Sequence, residues 1–418
     1  MSYLRDWQTL LSHWKKDVIA GLTVGIVALP LALGFAITTG APASAGLTTA
    51  IIAGFLAALF GGSNYQVSGP TGAMTVVLVP IVASYGVSAL PALGIAAGLI
   101  IIAISAFRLG TYIDRVPLAV MEGFTLGIAL IIAIQQIPLI FDVPKAEGSH
   151  TVSVALATLR RALDEPVHWS SIGLAFATLV LKRLWPRLKK LLHIPFHIPA
   201  SALAVVIVSL SAYFANVDAT RIDNLPRTLS LNFEFSFPDM PVVHFIYAAI
   251  VIAALGAIES LLSARVADGL AHREIDHDQP RHQPNKELFG QGLATIASVS
   301  VGGLPATGAI ARTSVNVHAG ARTRLAAMIH SLFLLFVVLF LAPVISYIPT
   351  AVLAGVLLGT SLRIANPRSI REALQSTGPQ RLVYCATALA VLFIDLIWGV
   401  IIGLAIHYIA QKTERKTR

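Results

Sequence analysis

The sequence predicts an all-α polytopic membrane protein of fourteen transmembrane segments, arranged as two inverted seven-helix repeats. Three observations lead there. Apolar residues make up 56% of the 418-residue chain and charged residues 12%, about half the roughly 25% charge of a soluble domain, and mean hydropathy is +0.77. Apolar runs recur along the whole chain, many of them close to the ~20 residues a helix needs to cross ~30 Å of hydrocarbon. Finally, Thr71-Gly72-Ala73 returns as Thr307-Gly308-Ala309, each time at the start of an unusually short run.

Residues 1–16 place Leu4, Trp7, Leu11 and Trp14 at helical spacing among polar residues. This is the pattern of an interfacial amphipathic helix with tryptophan at headgroup depth. Lys15 and Lys16 precede an apolar run from Val18 to Ala36, longer than the roughly 7–15-residue core of a signal peptide, and this run is read as the first membrane helix. Runs lie near 18–37, 45–60, 70–84, 89–107, 117–141, 170–185 and 198–216. A second set lies near 242–264, 289–302, 307–319, 323–346, 348–361, 379–394 and 396–410. The runs opening at Pro70 and Thr307 are too short to span alone. The 370–412 region reads as two helices or one, so thirteen is the competing count.

With fourteen crossings and a cytoplasmic N-terminus, 24 of the 30 Lys and Arg fall in cytoplasmic segments. Lys145, Arg160, Arg161, Arg221 and Arg227 lie outside, and Arg312 falls within the membrane. By the positive-inside rule both termini are cytoplasmic, in a plasma (inner) membrane protein with a basic tail at 411–418. The formal charge of +9 is thereby assigned to topology. No Walker A sequence, Rossmann glycine pattern or nucleic-acid motif is present. His272, His277 and His282 match no zinc spacing, so neither a metal nor a cofactor is expected. The single Cys385 excludes an intramolecular disulfide, and no nucleophile–base constellation supports an enzyme.

A repeat with an odd number of crossings places its copy upside down. The repeats are read as 17–216 and 242–410. A half-helix that begins near the bilayer midplane leaves N–H groups unpaired and carries about +0.5 charge at its N-terminus. Two such ends from inverted halves, on the third and tenth runs, would face each other and form an anion site without formal charge. Gly72 and Gly308 would let a ligand approach the backbone, and Thr71 and Thr307 would add hydroxyls. Arg312 lies about one turn into the tenth run; a charge at that depth usually lines a cavity or pathway. Glu259 sits mid-run with Ser263 at i+4 on the same face. Such a carboxylate can carry a proton, hold a cation or pair with Arg312. Glu122 and Asp395 lie at run ends, where interface exposure explains them, and His330 reads as a hydrogen-bonded packing residue.

Three segments carry a family resemblance: Asp17-Val18-Ile19-Ala20-Gly21-Leu22 leading to Ala28-Leu29-Pro30; Ser68-Gly69-Pro70-Thr71-Gly72; and Arg312-Thr313-Ser314-Val315-Asn316 followed by Ala319-Gly320-Ala321-Arg322-Thr323. In these the chain resembles the SulP family of anion transporters, the sulfate-permease relatives, over nearly its whole length. The resemblance implies inverted repeats arranged as in uracil permease. A core domain (17–107 and 242–346) would bind substrate between the third and tenth helices, against a gate domain (115–216 and 348–410) that stays comparatively fixed. By position, the pocket would include Phe35, Thr71, Ala73, Ala311 and Arg312, with Glu259 beside it. Gly72, Gly308 and Ala309 complete the expected substrate set, and Ser263 joins Glu259 as a coupling-ion ligand. Two features depart from the family. Leu31 stands where many relatives have Gln after the helix-1 proline. The sequence stops at Arg418, where relatives usually continue into a cytoplasmic STAS domain, so the resemblance is to the family's membrane domain alone, without the STAS domain.

The expected function is secondary active transport of a small anion of the sulfate, bicarbonate or dicarboxylate class by alternating access. Proton symport is the preferred coupling; sodium symport and anion exchange are the alternatives. An anion channel would need the same site with a continuous pore. A nucleobase permease of the same fold would need an acidic residue on the tenth helix, where Arg312 stands. The expected partners are the anion, H+ or Na+ and the lipid bilayer, and a homodimer is compatible with the reading.

Overall fold

A computed structural model describes residues 10–113, 116–148, 151–164, 167–191, 193, 199–222, 225, 237–274, 281–376, 378–394 and 396–417. Leu4, Trp7, Arg115, Arg227, His277, Asp395 and Arg418 lie outside the described residues.

The first half contains α1 (Trp14–Thr39), α2 (Ala43–Phe60), α3 (Gly72–Tyr85), α4 (Leu90–Ala106), α5 (Leu118–Ile134), α6 (Trp169–Leu191) and α7 (Ala200–Phe214). The second contains α8 (Val242–Glu274), α9 (Pro284–Ser300), α10 (Ile310–His318), α11 (Leu325–Ile345), α12 (Thr350–Ile364), α13 (Gly378–Phe393) and α14 (Leu396–Thr417). Each apolar run therefore holds a helix, and the 370–412 region holds α13 and α14 after the end of a short helix, Pro367–Gln375. Among the described residues, six helices are long and apolar enough to cross a membrane by length and composition. Short connecting helices, among them Thr151–Asp164, were not expected from hydropathy. That helix buries Val154, Ala155, Thr158 and Ala162 and exposes Arg160 and Arg161. Its apolar stripe is one-sided, so it raises no continuous apolar run.

The packing repeats with a seven-helix offset. The α1 helix packs on α11 as α8 packs on α4, and α2 packs on α11 as α9 packs on α4. Likewise α3 lies against α1 as α10 lies against α8, and α5 against α13 as α12 against α6. Each pair is the image of another, as a pseudo-two-fold between inverted halves requires. Small residues permit the closest approaches. A Cβ on Gly98 of α4 would press on the Gly292 carbonyl and Ile296 of α9, and one on Gly292 would press back on the Gly98 carbonyl. Gly98→Val should therefore force α4 and α9 apart and destabilise by about 1–3 kcal/mol or more, as overpacking does. An unchanged midpoint of thermal unfolding in detergent would refute the close contact.

Strands β1 (Ser68–Gly69) and β2 (Thr307–Gly308) precede the half-helices and pair antiparallel, with Ser68 opposite Gly308 and Gly69 opposite Thr307. Two-residue strands leave no period-2 signal in a sequence. Their cause is the solvent: extended backbone at membrane depth finds no water and must satisfy its polar groups within the protein. The pairing extends outward as Ala309 N–H donates to the Val67 carbonyl at 2.9 Å and Val67 N–H to Thr313 Oγ1 at 3.0 Å. Asn316 closes the same corner by donating to the Tyr65 carbonyl at 2.8 Å.

Two buried carboxylates fasten loops in the same half of the packing. Asp17 accepts from Arg322 N–H (2.7 Å), Thr323 N–H (3.1 Å) and the Thr323 hydroxyl (2.8 Å). Glu287 accepts from Gly62 N–H and Ser63 N–H, each at 2.8 Å, and from Gln66 Nε2 at 2.7 Å. Both join α1–α4 segments to α8–α11 segments, and both fix the approach to β1 or α11.

Candidate functional site

Thr71 is the N-cap of α3; its hydroxyl accepts from Met74 N–H at 3.3 Å. That hydroxyl also donates to Glu259 Oε2 at 2.8 Å and lies 2.9 Å from the Thr307 hydroxyl, 236 residues away. Thr307 donates to the same Glu259 oxygen at 2.5 Å. The repeated threonines of the two halves thus touch each other and share one carboxylate oxygen from α8. Glu259 Oε1 has no hydrogen-bond partner among the described residues. The α10 helix begins after Ala309 with no side-chain cap.

Around this point lies a cavity of about 420 Å³. From α1 come Leu31 and Phe35, from the start of α3 Thr71, Gly72 and Ala73, from α8 Glu259, and from the start of α10 Ala309, Ala311 and Arg312. The expected residues Phe35, Thr71, Gly72, Ala73, Glu259, Ala309, Ala311 and Arg312 are therefore brought together. Leu31 presents an apolar side chain to the cavity.

Gly308 and Ser263 do not line the cavity. Gly308 belongs to β2 and its N–H donates to Ser260 Oγ at 3.0 Å, which removes it as a donor to a ligand. Ser263 is fully buried one turn along α8 and donates to Thr313 Oγ1 at 3.0 Å. A shared helical face did not suffice, because the curvature of the cavity reaches Glu259 and Leu262 and leaves Ser263 against α10.

Arg312 corrects a second expectation. It is 1% exposed and donates from Nη2 to the Pro70 carbonyl; no ion pair joins it to Glu259 among the described residues. The α10 turn aims the guanidinium across the strand pair, where Gly69 has φ +152° and leaves space that a Cβ would fill. Nη1 is buried without a hydrogen-bond partner among the described residues. A buried charged donor left unmade costs more than the ~1–3 kcal/mol of a neutral one; this one lies against Gly69, while the Arg312 side chain as a whole lines the cavity.

Sequence reasoning missed the opposite wall, formed by Phe124, Ile128 and Ile132 of α5, Thr360 and Arg363 of α12, and His318 at the end of α10. The 124–128–132 spacing marks one helix face, but a helix apolar all round offers no contrast to show which face meets a ligand. His330 is buried on α11, 3.4 Å from the Ser331 hydroxyl and outside the cavity lining. His282 pairs with Asp268 at 2.7 Å, and no group of three or more metal-ligating side chains occurs among the described residues.

Three comparisons bear on this geometry. The sulfate permease family model matches residues 14–387. A Bacillus subtilis (strain 168) protein, YvdB, named provisionally as a sulfate transporter, is 36% identical over 96% of this chain and 74% of its own length. The bicarbonate transporter BicA of Picosynechococcus is 32% identical over 93% of this chain and 68% of its own. Among solved structures, the transmembrane domain of a cyanobacterial BicA superposes with TM-score 0.81 at 31% identity, covering 93% of this chain and 97% of that one. Murine Slc26a9 superposes with TM-score 0.82 at 17% identity, covering 96% of this chain and 68% of that one, which speaks for the fold alone.

Proposed function

This chain belongs to the sulfate permease family, and from that membership together with the cavity we propose that it is a secondary active transporter of small anions that works by alternating access and proton symport. The observation that supports this most directly is the convergence of two uncharged helix starts and the buried Arg312 side chain on one cavity of about 420 Å³. Helix starts attract anions through oriented N–H groups, and the arginine adds a formal positive charge. The anion class is sulfate, bicarbonate or dicarboxylate, in keeping with relatives named for sulfate and bicarbonate.

In this reading α1–α4 with α8–α11 form the moving core, and α5–α7 with α12–α14 form the gate. Phe35 on one side and Ile128 and Ile132 on the other give the boundary at the cavity an apolar character, which leaves few directional bonds to break as one side slides past the other. Both termini face the cytoplasm, as the distribution of Lys and Arg favours. Glu259 is the coupling residue: Oε2 takes both threonine hydroxyls, and Oε1 is left to receive a proton. Because Thr71 and Thr307 stand at the starts of the two half-helices, the protonation state of this one carboxyl reaches both ends of the anion site.

A sodium-coupled reading would require Glu259 Oε2, Thr71 Oγ1 and Thr307 Oγ1, which hydrogen-bond one another at 2.5–2.9 Å, to part and turn their lone pairs to the ion.

The test is uptake of labelled sulfate, bicarbonate and dicarboxylate into proteoliposomes under an inward proton gradient, an inward sodium gradient, or neither. Accumulation above equilibrium under the proton gradient alone is the expected result. Accumulation only with sodium would transfer the coupling to that ion. A steady anion conductance without counterflow would mark a channel, and no uptake of any anion would overturn the function.

A further inference from the structure

A second cavity, of about 540 Å³, adjoins the first. The two share Val315, His318 and Arg363 in their linings, which places the second beside the cavity that holds Thr71 and Arg312. Lys182 and Arg183 of α6 line it together with Arg363 of α12. No Asp or Glu lines it among the described residues.

The basic groups there are not neutralised from within. Lys182 Nζ donates to the Val356 carbonyl at 2.8 Å and to Thr360 Oγ1 at 2.7 Å, both neutral acceptors. Arg183 and Arg363 make no hydrogen bond or ion pair with any described residue. The start of α7 enters the same wall through Pro199, Ala200 and Ser201, and α7 has no side-chain cap. Its N–H groups and partial positive charge therefore share a wall with the basic side chains of Lys182, Arg183 and Arg363, with no carboxylate in that lining among the described residues.

We propose that this antechamber is a second anion site, distinct from the substrate cavity, that takes a small divalent oxyanion of the sulfate type. Two negative charges balance the cluster better than one, and a tetrahedral oxyanion has acceptors for several donors at once. By the orientation above, this end faces the cytoplasm, and an anion on its way to or from Arg312 passes through it. The assignment rests on the reading of the chain as an anion transporter.

The experiment is equilibrium binding of labelled inorganic sulfate to the purified full chain in detergent, with uptake into proteoliposomes measured in parallel. Lys182→Gln and Arg183→Gln are the informative changes, because both residues line only the second cavity. Wild type is expected to bind two sulfates per chain and the double variant one. Arg183→Gln alone should weaken the second site by about tenfold or more, the loss of a hydrogen bond to a charged group, without changing the first. Arg183 is exposed and partnerless, so this single variant keeps the test sound if the double variant folds poorly. One sulfate per chain in wild type that the double variant still binds, with uptake intact, overturns the second site and leaves the transport function standing. Two sulfates in the double variant overturn it equally. No sulfate bound and no uptake overturns both.

Discussion

Glu259→Gln is expected to abolish proton-driven accumulation of the anion while leaving equilibrating transport in place. Glu259 is buried, and its Oε2 holds both Thr71 and Thr307. Gln keeps the length of the side chain and one oxygen that can accept both hydroxyls, so the two half-helix starts should stay where they are. The amide cannot take up and release a proton. For one proton per monovalent anion, each pH unit of gradient supports about tenfold accumulation, and in the variant that ratio should fall to about one. Glu259→Asp makes a useful contrast. Its carboxyl still titrates but sits one methylene short of the threonines, so coupling should survive with weakened anion binding. The measurement is labelled-anion uptake in proteoliposomes at several pH gradients, with efflux exchange as the control for intact translocation. Accumulation equal to wild type in Glu259→Gln would remove this residue from the coupling role.

Much of the frame was legible because the bilayer imposes simple rules. A run of apolar residues near 18–37 or 323–346 has one stable outcome in hydrocarbon, and helices stand there. The repeated Thr-Gly-Ala at short, proline-led runs marked the two helix starts, and Thr71 and Thr307 do meet. What stayed hidden depends on where side chains point after folding. Arg312 and Glu259 are the charges nearest the site, and pairing them is natural in one dimension. In three, the strand pair brings the Pro70 carbonyl to the guanidinium and the two threonines to the carboxylate. Gly308 and Ser263 went to neighbouring hydroxyls for the same reason: a buried backbone N–H or hydroxyl takes the nearest partner. Glu287 left no mark in the hydropathy pattern, because it occupies the first turn of α9 and its partners are loop N–H groups more than 220 residues earlier. The wall opposite was invisible because Phe124, Ile128 and Ile132 look like any other apolar stripe.

Arg312→Ala should weaken anion binding by about 10–100-fold without abolishing it, and it should also lower stability. The affinity loss follows from removing one charge-assisted hydrogen bond, about 1.5–3 kcal/mol, if Nη1 is the donor that meets the anion. Binding should persist because the first turns of α3 and α10 are backbone and survive the change; two helix ends carry together about one charge. The stability loss has a different source. The Pro70 carbonyl would lose the Nη2 donor that reaches it across the strand pair, and the space beside Gly69 would empty. Arg312→Lys tests these two contributions separately, since an ammonium keeps the charge but not the planar fork that serves two acceptors at once. It should recover part of the affinity and little of the stability. The double variant Arg312→Ala/Glu259→Gln then tests the contact pattern itself. Were the two side chains a buried ion pair, removing both would be milder than removing one, because a single unpaired buried charge costs about 3–5 kcal/mol. With Glu259 held by two threonines instead, the double variant should be no more stable than Arg312→Ala. Thermal unfolding and sulfate titration of all four proteins in detergent give both quantities. Wild-type affinity in Arg312→Ala would make the arginine a purely structural residue, and a double variant restored to wild-type stability would mean that the two charges pair after all.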